Sequence, residues 1–94
     1  MSENKVKEMN EKDIKKKENF YEITYKMEKA LEELGGMTVI LKDGTEIYAF
    51  DYTWEIEGNH LFFYFESELD EIARVPATSI KDVIPTELPR YVEY

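Results

Sequence analysis

The hydrophobic period of this chain changes at Gly35-Gly36, and that switch narrows the folds open to it. Upstream, Phe20, Ile23, Met27, Leu31 and Leu34 recur at steps of three and four residues, which puts them on one face of a helix. Asn19 with Glu22 three residues on matches a capping box, and Glu22 with Lys26 is an i,i+4 pair in the favourable order. The two glycines supply the stop, because a left-handed residue after a helix costs glycine little.

Downstream the apolar residues alternate instead. Residues 37–41 (MTVIL) read as a short strand, and Asp43-Gly44 as the centre of a hairpin turn. In the next stretch Tyr48, Phe50, Tyr52, Trp54 and Ile56 share one face, while Ile47, Ala49, Asp51, Thr53 and Glu55 share the other. Most of those rings are expected in the core. After a turn at 57–60 (EGNH), the segment LFFYF places Leu61, Phe63 and Phe65 on one face and Phe62 and Tyr64 on the opposite one. A strand apolar on both faces has to be covered on both. The amphipathic helix is the expected cover for Phe62 and Tyr64, and a second copy of the chain is the alternative. A strand over 72–75 ends at Pro76, followed by a helical turn or a last short strand. These elements predict an α+β, mainly β fold: an N-terminal amphipathic helix followed by a small bent antiparallel barrel of four to five strands. The expected domain spans 19–85, between a flexible charged arm at 1–18 and an extended tail at 86–94.

At 94 residues the chain holds one domain, with a core small enough that self-association is an expected supplement. It has no cysteine, which fits a reducing cytoplasm and removes thiolate chemistry. No apolar run approaches membrane-spanning length, and MSENKVKEMN lacks the apolar region of a signal peptide, so no membrane association is expected. The formal charge of −9 is unevenly spread. Residues 1–18 carry six lysines against five acids, and between Lys42 and Arg74 there are nine acids and no Lys or Arg. Such a surface repels phosphate backbones and attracts basic partners.

MTVILKDGTEIYAF, EGNHLFFYF and ARVPATSIKDVI together resemble the Sm-like small-barrel family over roughly the C-terminal two thirds of the chain. The resemblance implies a bent barrel and an RNA site in which Asn59 takes the place of the family's loop Asn. Two departures bear on this. Ala49 or a neighbour stands where the family places a strand glycine, and Arg74 is followed by Val75 where the family has an Arg-Gly pair. The family's RNA site therefore does not carry over.

Catalysis finds little support. His60 is the sole histidine and cannot build a zinc site without cysteine. Ser2, Ser67 and Ser79 lack the context of an activated nucleophile. The run ESELDE matches no calcium loop. No catalytic residue, metal or cofactor is expected. Aromatic stacking on nucleic acid needs a cationic groove beside it, absent here, so direct nucleic-acid binding is not expected. The reading that remains is a non-enzymatic regulatory module that binds a basic protein. Its acidic candidates are Asp51, Glu55, Glu57, Glu66, Glu68, Asp70 and Glu71, and its aromatic ones are Tyr52, Trp54, Phe62 and Tyr64. The first alternative is an inhibitor of anti-defence type whose carboxylates mimic nucleic acid toward a nucleic-acid-binding protein. The second is an RNA-binding Sm-like protein using Asn59 and Arg74.

Overall fold

The computed structural model describes residues 9–67 and 72–87. Helix α1 (Glu11–Lys17) opens at Asn10, whose Oδ1 accepts the Asp13 N–H at 2.8 Å. Acids in its first turn and lysines in its last complement the helix dipole. Ile14, 1% exposed, anchors it to the core. Residues 11–17 were expected within a flexible arm. They form a docked helix because the single apolar side chain among those charges finds a buried site. Residues 1–8 of that arm, and 88–94 of the expected tail, lie outside the described residues.

Helix α2 (Phe20–Leu34) begins after a left-handed residue, Asn19, at φ 61° and ψ 32°. Asn enters that region more readily than other non-glycine residues. An N-cap whose side-chain oxygen accepts a backbone N–H of the helix uses extended backbone, so the expected capping box does not form, and no side-chain bond caps α2. Lys26 likewise reaches Asp82 at 3.0 Å, with no ion pair to Glu22. Phe20, Met27 and Ala30 are buried, with Ile23 and Leu31 half-buried beside them. Gly35 ends the helix at φ 80°.

Six strands follow: β1 (Met37–Leu41), β2 (Glu46–Ala49), β3 (Asp51–Glu57), β4 (His60–Glu66), β5 (Ile72–Pro76) and β6 (Ile80–Pro85). A 3₁₀ turn, Ala77–Ser79, joins the last two. They form two separate three-stranded antiparallel sheets, ordered β2-β1-β6 and β3-β4-β5. This overturns the expected single helix and bent barrel. Two helices precede the strands, β2 and β6 are left as edges of one sheet and β3 and β5 of the other, and no barrel closes among the described residues.

Phe50 explains why the strand pattern misled. It is a bend between β2 and β3, and it reverses which parity faces inward. Ile47 and Ala49 turn inward before it, and Tyr52 and Ile56 turn inward after it, while Trp54, on the same side as these two, stays exposed. Tyr48 and Phe50, expected on the core face, are exposed in consequence. The Phe50 N–H donates to Glu66 O at 3.0 Å, tying the bend to the end of β4 beside the Asp51–Glu66 pairing. The core gathers Met37 and Val39 of β1, Leu61, Phe63 and Phe65 of β4, and Ile80 and Val83 of β6 against the helices. Phe20 stacks parallel to Phe63 at 6.0 Å, which fixes the helices to the inward face of β4.

Candidate functional site

The register of β3, β4 and β5 determines which candidates meet. Asp51, Thr53, Glu55 and Glu57 of β3 share a face with Phe62, Tyr64 and Glu66 of β4 and with Ile72 and Arg74 of β5. The helices pack on the opposite face, so this outer face carries six of the nominated residues together: Asp51, Glu55, Glu57, Phe62, Tyr64 and Glu66. The β3–β4 hairpin that aligns them is set by the two-residue turn Gly58-Asn59, where Gly58 sits at φ 63°.

The helix does not cover Phe62 and Tyr64; Arg74 does. Its guanidinium carbon lies 3.8 Å from the Phe62 ring centroid, within cation–π range. Its Nε donates to the Tyr64 hydroxyl oxygen at 3.0 Å, and that hydroxyl donates to Glu55 Oε2 at 2.6 Å. Arg74 Nη2 also donates to the carboxylates of Glu55 and Glu57. The Tyr64 bond first, and Glu57 after it, hold the Arg74 pKa above its ordinary value. Glu55 and Glu57, which the sequence left without a local counter-charge, thus share one.

Asp51 and Glu66 do not. They are direct cross-strand partners, and neither has an ion pair among the described residues. Among the described residues, Asp51 Oδ1 accepts its neighbour's N–H, from Tyr52 at 2.8 Å. Like charges directly opposite across strands are destabilising. Ile72, opposite Glu66 on β5 and 64% exposed, adds an apolar surface beside them.

Two nominated residues lie elsewhere. Tyr52 points to the helix side, where its hydroxyl donates to Glu28 Oε2 at 2.6 Å, and burial, then Glu28, raises its pKa. Trp54 packs edge-on against Phe20 at 5.0 Å, with Lys15 Nζ 4.1 Å from its ring centroid. Glu68, Asp70 and Glu71 fall outside the described residues. The residues pointing to RNA are also engaged: Asn59 Oδ1 accepts the Met9 N–H at 3.2 Å, and Arg74 is committed to Tyr64, Glu55 and Glu57. Among the described residues no group of three or more His, Cys, Asp or Glu side chains is placed to hold a metal, and no helix is long and apolar enough to cross a membrane.

Sequence reasoning missed Ile72 and the local role of Arg74. The parity of β5 was readable, but its register against β4 was not, since the connection at 67–71 carries no recognisable turn signature. Comparison with protein-family models, curated proteins and solved structures finds no match.

Proposed function

We propose that this protein is a non-enzymatic protein-binding module of the cytoplasm whose outer β3-β4-β5 face takes a basic partner. The observation that carries this reading is the Asp51–Glu66 pair, two acidic residues directly opposite one another across β3 and β4 with no ion pair among the described residues. A lysine or arginine of a partner relieves that repulsion on docking, so the attraction exists only in the complex. Around it, Phe62, Tyr64 and Ile72 offer apolar contact, and the Arg74 network holds the rings in place before binding. Aromatic anchors surrounded by charge are the usual energetic arrangement of an interface. A prearranged surface also loses less entropy on association.

The test is a pull-down with the full chain as bait, comparing wild type with the double variant Asp51→Lys/Glu66→Lys. The variant keeps like charges opposite one another, so the fold bears a similar repulsion while the sign of the surface reverses. Wild type should capture a basic protein in a salt-sensitive manner, and the variant should not. Equal capture by both contradicts the reading. Recovery of RNA that nuclease removes contradicts it too, in favour of an RNA-binding role. A captured nucleic-acid-binding enzyme, displaced by its own oligonucleotide, identifies the partner's site and makes the acidic face a mimic of nucleic acid.

A further inference from the structure

We infer that a second site, the cleft between the α1–α2 junction and β6, binds a small phosphate-bearing molecule. The cleft has a volume of about 390 Å³, within the range of small-molecule sites. What marks it is the origin of its lysines. From Glu18 to Glu87 the chain contains four lysines, and three of them, Lys26, Lys42 and Lys81, line this one cleft. Lys17 adds a fourth. They come from α1, α2, the β1–β2 turn and β6, so the fold and not local sequence brings them together. In a chain of net charge −9, this concentrates cations against the prevailing composition.

The lining acids leave a cationic excess. Asp82 is bonded to Lys26 at 3.0 Å, which, with the Val83 N–H, lowers its pKa. Glu18 accepts the Leu61 N–H at 2.9 Å and contacts His60 Nδ1 at 3.3 Å. Four lysines thus face the three carboxylates of Glu18, Glu22 and Asp82, an excess of one positive charge, and Lys17, Lys42 and Lys81 form no ion pair among the described residues. Lysine ammonium groups are compact point charges, and several around one cavity suit the multiple charge of a phosphate better than a single carboxylate. Thr78, a neutral residue with a hydroxyl, also lines the cleft. This site shares no residue with the acidic face, and its test does not depend on that proposal.

The probe is inorganic pyrophosphate, titrated into the full-length protein and followed by amide chemical shifts. The expected result is saturable shifts confined to residues 17–23, 42 and 77–83. The double variant Lys42→Gln/Lys81→Gln, at two exposed side chains without ion pairs, should keep the fold and weaken binding about tenfold. Three results overturn the inference: shifts that sodium chloride at equal ionic strength reproduces, shifts that do not saturate by about 10 mM, or equal affinity in the variant. A variant with an altered amide spectrum is replaced by Lys17→Gln, whose unchanged affinity is likewise decisive against the site.

Discussion

Glu18 is only 3% exposed, and its carboxylate is tied into the sheet by the Leu61 N–H at 2.9 Å. That bond satisfies a backbone donor where β4 begins, on the far side of the α1–α2 junction. Removing the acceptor leaves a buried N–H unpaired. Glu18→Ala should therefore lower the unfolding free energy by about 1–3 kcal/mol, read by chemical denaturation, while Glu18→Gln, which keeps a carbonyl oxygen, should lose less. Tyr52 sets a different dependence. Burial and the Glu28 carboxylate both oppose its phenolate, so its folded pKa lies above the unfolded value of about 10. Its contribution is complete below that value and is lost as pH rises through and beyond it. Wild type should lose stability above pH about 10 more steeply than Tyr52→Phe; parallel profiles would show that the hydroxyl–Glu28 contact does not matter to the fold.

Helix α2 begins on a left-handed Asn19, and this gives a discriminating substitution. Glycine tolerates that backbone and serine does not, whereas serine is the better N-cap of the two. Asn19→Gly should keep thermal stability near wild type, and Asn19→Ser should lose about 1 kcal/mol. The reverse order would restore the capping box that the sequence suggests. At this scale the sequence is readable where one period runs unbroken. The 3.6-residue pattern from Phe20 to Leu31 corresponds to α2, and alternation within β4 separates Leu61, Phe63 and Phe65 from Phe62 and Tyr64. It fails where backbone geometry changes without a composition signal. Phe50 bends the chain without glycine or proline, so the faces of Tyr48 and Tyr52 could not be related by counting. Helix α1 is masked in the same way, because a single Ile14 among charges shows no periodicity.

Two surfaces of opposite character result at the scale of the molecule. The outer β3-β4-β5 face gathers acids from residues adjacent in sequence, which is why six of its members could be named from the chain alone. The lysine cleft joins Lys17, Lys26, Lys42 and Lys81 across the fold, and no linear reading reaches it. If the acidic face serves binding, it is held at some expense to stability. Asp51→Lys replaces a like-charge pair with an attractive one across from Glu66, and should stabilise the fold by about 0.2–1 kcal/mol in chemical denaturation while weakening partner binding. A loss of stability would show that Asp51 and Glu66 do not repel one another. The most direct test of the acidic face is amide shift mapping of the full-length protein with a peptide rich in Lys and Arg around a central Trp. The account predicts saturable, salt-sensitive shifts centred on Asp51, Glu55, Phe62, Tyr64, Glu66 and Ile72. Shifts centred instead on the helix side, or none that saturate, would contradict it.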